Sequence, residues 1–268
     1  MGNIPQKVYS RISEGLKRFQ PIVESAKSRD VNESDTVVLL TGILSEILGF
    51  DKYTEITTEV AIRGTYCDLA LKIDNKICLL IEAKAVGIEL KEHHAKQAVD
   101  YGANKGIEWV ILTNAVSWKV FKINFTKPIQ TTLVCEMDFL KLKPKSAEDI
   151  ETLFILSKEA ICKSSLDAVF AQKQATNRFM IGNLLLNSDT VLSSIKKELK
   201  LLHPDIKVTN EEIAHVLTHE VIKREIMEGE EAEDAKKRII KANKKKEKLK
   251  DEKIVGVDIT TTSNEVAQ

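Results

Sequence analysis

Three short segments rich in apolar and β-branched residues follow one another before the middle of the chain. They cover residues 57–62, 67–73 and 77–83, and the pair Asp74-Asn75 separates the last two. Segments of this length bounded by turn-forming residues are typical of β-strands joined by tight turns. Consecutive strands need an apolar layer to cover them, so this feature predicts a sheet packed against other elements.

Helical periodicity surrounds these strands. Apolar residues recur at helical spacing over residues 6–20, and a second helix with a thick apolar face is predicted from Ser34 or Asp35 to Leu48. After the three strands, the pattern predicts a polar helix over 89–103, strands over 109–113 and 117–123, and an edge strand over 131–135. This order predicts an α/β fold in which a sheet of mixed strand direction is flanked by helices.

The chain changes character after Pro144, where helical spacing dominates as far as residue 227 and a charged segment follows. We therefore expect an α/β domain over 1–145, an all-helical assembly region over 146–227, and a charged, partly disordered tail over 228–268. The stretch 179–186 is apolar nearly all round, so a helix there must be covered on more than one side. A homodimer through the helical half is the expected interface, and closure of the helices on themselves is the alternative.

Charge and cysteine content limit the possible functions. The chain has 40 basic and 40 acidic residues, which argues against a protein that coats nucleic acid through bulk charge but leaves room for a local basic groove. The four cysteines form no CxxC pair and no zinc spacing, as in proteins of a reducing cytosol. No apolar run is long enough to span a membrane, so we expect a cytoplasmic protein without membrane contact.

A group of charged residues interrupts the apolar strands. Glu82 and Lys84 lie two apart at the end of one strand and therefore share a face, and Asp68 precedes Glu82 by fourteen residues. A three-residue turn over 74–76 would place Asp68 opposite Glu82, with Cβ atoms roughly 5 Å apart, whereas a two-residue turn would place them on opposite faces. Two neighbouring carboxylates, with the Ala83 carbonyl, suit Mg²⁺ or Mn²⁺.

This arrangement resembles a known motif. Asp68, thirteen intervening residues and then Glu82-Ala83-Lys84 resemble the PD-(D/E)xK nuclease motif, with Cys67 in place of its usual proline. Gln97 and Tyr101 in the next helix resemble a QxxxY motif. Together they resemble the N-terminal nuclease domain of type I restriction enzyme R subunits, over about residues 30–125. The resemblance implies a restriction-endonuclease-like fold and a Mg²⁺-dependent endonuclease that hydrolyses phosphodiester bonds of DNA.

The resemblance also implies roles for individual residues. Asp68 and Glu82 would bind the metal, and Lys84 would act with them in catalysis. Gln97 and Tyr101 would support the substrate, and Glu46 in the preceding helix is the expected accessory metal ligand. The chain has no GxxxxGK[ST] loop, so we expect a stand-alone nuclease without an ATP site or motor, in restriction, defence or DNA processing.

Two other functions remain open from the sequence. One is a catalytically silent nucleic-acid-binding or assembly module with the same fold, and the other is a structural α/β domain whose helical half recruits a partner. Glu46 would equally suit a surface ion pair, and Gln97 with Tyr101 would equally suit a polar helix surface with a packed tyrosine. The sequence does not distinguish DNA from RNA as the substrate.

Overall fold

Six strands form a mixed sheet in the computed structural model, which describes residues 4–62 and 65–258. In space the strands follow their order in the chain, and neighbours are antiparallel except for the parallel pair β3 and β4. The strands are β1 Ile56–Ile62, β2 Thr65–Ile73, β3 Lys76–Ala83, β4 Trp109–Thr113, β5 Ser117–Asn124 and β6 Gln130–Asp138. The predicted mixed sheet flanked by helices is therefore confirmed.

Helices precede, interrupt and follow the sheet. Two come before β1 and one lies between β3 and β4, where a parallel connection requires a crossover. They are α1 Gln6–Ser28, α2 Glu33–Glu46, α3 Lys96–Lys105, α4 Ala147–Phe154, α5 Lys158–Ile161, α6 Ser165–Ala175, α7 Arg178–Asn187, α8 Asp189–Leu202, α9 Asn210–Val216, α10 Arg224–Met227 and α11 Glu230–Asp258. A 3₁₀ turn, Glu92–Ala95, leads into α3, and a π-helical turn, Leu217–Val221, follows α9.

The sheet separates two apolar layers. On one face, buried residues of the strands, among them Leu79 and Ile81, pack with α1, α2 and α4. On the other face, Leu80 and its neighbours pack with α3 through Ala98 and Tyr101. Because both faces are covered, the central strands are nearly continuous apolar runs, and a charged residue on them needs a specific partner.

The hairpin between β2 and β3 decides which side chains share a face. Its turn has two residues, Asp74 and Asn75, both with positive φ, so Ile73 pairs with Lys76. Of the two turn lengths left open by the sequence, the structure has the two-residue turn. A β-bulge then leaves Cys78 without a paired residue on β2, since Lys72 pairs with Ile77 and Leu71 pairs with Leu79.

The extra residue at the bulge gives β2 and β3 the strand pairing that a three-residue turn would have produced. Beyond it Ala70 pairs with Leu80 and Leu69 with Ile81. Asp68 and Glu82 are the next residues on their strands after the pair of Leu69 with Ile81. The two-residue turn and the bulge together therefore give the pairing that a three-residue turn would have given up to the residues beside the two carboxylates.

Two helices differ from their sequence-based bounds for reasons of packing. Helix α1 continues through Pro21 to Ser28, because Phe19, Val23 and Ala26 on either side of the proline remain buried against the sheet layer. Most of the tail predicted to be partly disordered is helix α11, which runs from Glu230 to Asp258. Residues 259–268 lie outside the described residues.

The chain divides into two compact units, Met1–Ala171 and Gln172–Gln268. The predicted boundary at 145 falls inside the first unit, because Ile150 and Leu153 of α4 belong to the core of the sheet. In the second unit, α7 packs against α11 through Phe179, Ala232 and Ala235. Gly182 of α7 approaches α10 closely, since a Cβ there would lie 2.6 Å from Ile226 Cγ2.

Over the part of the chain that the structure describes, every helix is too short or too polar to cross a lipid bilayer.

Candidate active site

The candidate site lies where β3 ends beside its parallel neighbour β4. The backbone N–H of Lys84, the first residue after β3, donates to the carbonyl of Thr113 on β4 at 2.9 Å. The following loop is held by the buried Asn114, whose Nδ2 donates to the carbonyls of Val86 at 3.1 Å and Ile88 at 2.8 Å. The carboxyl end of a parallel strand pair is the usual place for a site in an open α/β sheet.

Asp68 is fixed to the strand that carries the other acidic residue. Its Oδ2 accepts a hydrogen bond from the backbone N–H of Ala83 at 2.7 Å. This charge-assisted bond holds one oxygen of the carboxylate beside Glu82, which precedes Ala83. The structure thus brings together Asp68 and Glu82, as the sequence spacing requires for a shared cation.

Glu82 is the buried carboxylate of the site. The residue is 3% exposed, its Oε1 accepts from Lys84 Nζ at 2.7 Å, and its Oε2 is buried without a hydrogen-bond partner. Burial raises the pKa of Glu82 to about 7, with the hydrogen bond from Lys84 opposing the shift and the charge of Asp68 adding to it. A buried acceptor without a donor is unfavourable, and a bound cation would satisfy it.

The ammonium of Lys84 lies close to three oxygen atoms. Its Nζ lies 2.7 Å from Glu82 Oε1, 2.8 Å from the Ala83 carbonyl and 3.4 Å from Glu33 Oε2. Burial acts to lower the pKa of Lys84, but the hydrogen bond to Glu82 and the negative charges of Glu82, Glu33 and Asp68 outweigh it and raise the pKa. The lysine is therefore a charged ammonium at neutral pH.

Glu33, which the sequence analysis did not single out, comes from α2 to join this group. The predicted helical acid, Glu46, lies at the opposite end of the same helix and pairs with Arg18. The 14 residues of α2 at roughly 1.5 Å each separate the two ends by about 20 Å. The structure thus gives no support to Glu46 as a metal ligand, because helical periodicity does not show which end of α2 meets the strand end.

The two residues of the QxxxY-like pattern differ in exposure. Tyr101 is 4% exposed and packs in the layer between α3 and the sheet, where burial raises its pKa and the nearby Cys67 adds to the shift. Gln97, one turn earlier, is exposed at the start of α3. Tyr101 can support the sheet beneath the site, and Gln97 is the member of the pair that a substrate can reach.

His94 lies in the 3₁₀ turn that leads into α3. Its Nδ1 accepts from the backbone N–H of Lys91 at 3.2 Å, which fixes the ring at the entry to α3. Burial lowers the pKa of His94, and the charges of His93, Lys84 and Lys91 add to this effect.

The oxygen atoms around Glu82 fit a hard divalent cation. Asp68 and Glu82 supply carboxylates, Ala83 supplies a carbonyl, and the buried Glu82 Oε2 has an unused lone pair. Among residues 4–62 and 65–258, no group of three or more His, Cys, Asp or Glu side chains forms a complete metal cage. Two carboxylates with open positions suit Mg²⁺, which usually keeps several waters.

Comparison with known proteins supports the resemblance drawn from the motifs. Residues 42–134 match the family model of the type I restriction enzyme R protein N terminus. The match covers about a third of the chain and includes Asp68, Glu82, Lys84, Gln97 and Tyr101. The predicted resemblance is thus confirmed. Searches of curated proteins and of solved structures gave no significant match.

Proposed function

We propose that this chain is a metal-dependent deoxyribonuclease whose active centre consists of Asp68, Glu82 and Lys84. The observation that carries the proposal is the buried, unpaired Oε2 of Glu82 beside a second carboxylate and a lysine. A folded core rarely leaves such an acceptor unsatisfied, and a cation would satisfy it. The similarity to the R protein N terminus supports the same function.

Each residue has a distinct part in phosphodiester hydrolysis. Asp68 and Glu82 would hold Mg²⁺ or Mn²⁺, which when bound would lower the pKa of a coordinated water and polarise the phosphodiester. Lys84 is charged and half-buried, so it can orient the attacking water and offset negative charge that develops on the phosphate. Phosphoryl transfer depends mainly on such positioning and charge neutralisation, which these three side chains supply.

The proposed substrate is DNA, and the proposed setting is restriction, defence against foreign DNA, or DNA processing. Gln97 is exposed at the start of α3, where it can support a bound strand. His94 lies nearby at the entry to the same helix. Both carry hydrogen-bonding groups suited to phosphate oxygens, and such contacts position a duplex without reading its sequence.

One assay tests the function. Plasmid and linear DNA are incubated with the protein in Mg²⁺, Mn²⁺ or EDTA, and the Asp68→Asn, Glu82→Gln and Lys84→Ala variants are compared with a Glu46→Gln control. We expect cutting with metal only, a loss of at least about a hundredfold in the three site variants, and wild-type activity in the control. Undiminished cleavage by any of the three site variants would refute the catalytic assignment.

A second candidate function follows from the contact between Lys84 and Glu82. This ion pair neutralises the buried carboxylate by itself, which is sufficient for a silent module that binds nucleic acid without cutting it. Gel shift in EDTA on the same samples tests this candidate. Binding of DNA without cleavage in any metal would favour the silent module, and cleavage would exclude it.

We also propose that the chain assembles as a homodimer through its helical unit. Several large apolar side chains of this unit are exposed to solvent, with relative exposures between 37% and 73%: Ile181, Leu184, Leu201, Leu202, Val216, Val221 and Ile240. A soluble unit gains stability when such side chains are covered, and two-fold dimers are the commonest assemblies of soluble proteins. A dimer would also present two active centres to the two strands of a duplex.

A further inference from the structure

Lys84 contacts two acidic residues that differ in their relation to the proposed metal. Its ammonium lies 2.7 Å from Glu82 Oε1 and 3.4 Å from Glu33 Oε2. Glu82 is buried beside Asp68, whereas the Glu33 side chain is 48% exposed and lies in the first turn of α2. A cation bound to Asp68 and Glu82 would therefore disturb the first contact of the lysine and leave the second intact.

The ammonium of Lys84 uses oxygens that a metal would need. It donates to Glu82 Oε1 at 2.7 Å and to the Ala83 carbonyl at 2.8 Å. An ammonium and a divalent cation repel each other at such short range, so they compete for these oxygens. A Lys84 displaced without another partner would be left charged and only 20% exposed, which is strongly unfavourable.

Glu33 is well placed to receive the displaced ammonium. Asn32 caps the start of helix α2, where its Oδ1 accepts from the backbone N–H of Asp35 at 2.9 Å, and buried residues such as Leu40 and Leu44 fix the helix to the sheet layer. A helix start carries partial positive charge that would repel a lysine. The carboxylate of Glu33 offsets that charge and presents an anion to Lys84.

Resting on the proposed function, we propose that Glu33 is a positioning residue that takes over Lys84 when a divalent cation binds to Asp68 and Glu82. The ammonium leaves Glu82 and Ala83 and shortens its distance to Glu33 from 3.4 Å toward roughly 2.8 Å, the usual length of a charged hydrogen bond. Lys84 then stays charged at the site while the carboxylates become free to bind the ion.

A double-mutant cycle on the full chain tests this exchange by Mn²⁺ affinity, measured by titration calorimetry without DNA. Glu33→Gln should weaken Mn²⁺ binding by about three- to tenfold, because the displaced lysine loses its second partner. Lys84→Met should strengthen binding, because the competing ammonium is gone. In the Lys84→Met background, Glu33→Gln should change the dissociation constant less than about twofold, since Glu33 then has no lysine to hold.

The control is Glu46→Gln, which changes the matched glutamate at the other end of α2 and should leave the affinity unchanged. Circular dichroism establishes that each variant is folded. Equal weakening by Glu33→Gln with and without Lys84 overturns the proposal, because Glu33 would then act on the ion directly. Unchanged affinity of Glu33→Gln in the wild-type background also overturns it. A wild-type chain that binds no Mn²⁺ refutes the proposed function itself, which separates the two failures.

Discussion

Burial of Glu82 in the candidate site makes the stability of the folded chain depend on pH. In the folded chain without metal, burial raises the pKa of Glu82 to about 7, from an ordinary value of 4.5. The folded state therefore holds a proton between these two pH values that the unfolded state has released. A carboxyl group whose pKa is higher in the folded than in the unfolded state stabilises the folded chain while it is protonated. For Glu82 this stabilisation is fully present below pH 4.5 and is lost as the pH rises through 7.

The raised pKa of Glu82 predicts a pH dependence of the free energy of unfolding that is due to this residue alone. In EDTA, the free energy of unfolding of the wild type should fall by about 2–3 kcal/mol relative to Glu82→Gln between pH 4.5 and pH 8. Urea unfolding of both proteins across this range measures the difference. A constant difference between the two proteins over the whole range would contradict the raised pKa.

The residues of the candidate site were predictable to the extent that they follow strand geometry. Asp68, Glu82 and Lys84 were found by alternation along strands and by hairpin spacing, which are local properties of the chain. Glu33 was not found, because it reaches Lys84 across 51 positions and only the packing of α2 decides which end of the helix does so. Glu46 was chosen on likeness alone, and its partner is Arg18.

Among the elements, α3 packs closely against its neighbours at Gly102. A Cβ on Gly102 would lie 2.7 Å from Ile123 Cδ1 and 2.8 Å from the backbone carbonyl of Ile107. The side chain of Ile123 can rotate away, but the backbone carbonyl can move only with the turn that ends the helix. The close packing of α3, the helix that carries Gln97 and Tyr101, therefore requires glycine at position 102.

We predict that Gly102→Ala destabilises the chain in spite of the higher helix propensity of alanine. The overpacking should lower the free energy of unfolding by about 1–3 kcal/mol, which exceeds the gain of roughly 1 kcal/mol from propensity. Chemical unfolding measures the change, and Asn104→Ala on the exposed side of α3 is the control, with no loss of stability expected. A stabilised Gly102→Ala variant would show that α3 can move away from the sheet at no cost.

Sequence patterns predicted the strands better than the helices. The strands Trp109–Thr113 and Ser117–Asn124 lie within one residue of their predicted bounds, because short apolar runs between turn residues leave little choice. Helix α1 passes through Pro21, which local propensity alone would place at a kink or a new start. Burial of the flanking apolar residues against the sheet outweighs the hydrogen bond lost at the proline.

At the scale of the whole molecule, the two units differ in how well they bury apolar side chains. The first unit contains the two apolar layers of the sheet. In the described part of the second unit, the buried apolar side chains are fewer, namely Phe179, Leu192, Ile213, Ala232, Ala235 and Ile239, and larger side chains such as Val221, at 62%, are exposed. An interface with a second copy would supply the cover that the helical unit lacks.

The homodimer is tested by light scattering over a dilution series. We expect a dimer mass at high concentration, and a shift of at least about tenfold toward monomer in Val221→Glu, because a buried charge at an interface is costly. Lys223→Glu, a change of an exposed charged residue next to the same turn, serves as the control for charge. A monomer mass at every concentration of the wild type would refute the dimer.

The bulge at Cys78 has a consequence for how such sites can be recognised in other chains. Cys78 has no paired residue on β2, so a hairpin lacking it would keep the pairs beyond the bulge, the last of which, Leu69 with Ile81, lies directly beside Asp68 and Glu82. The number of residues between the two carboxylates can therefore change by one while their geometry stays the same. A motif search that demands a fixed interval would miss such chains, whereas one that counts paired positions across the hairpin would retain them.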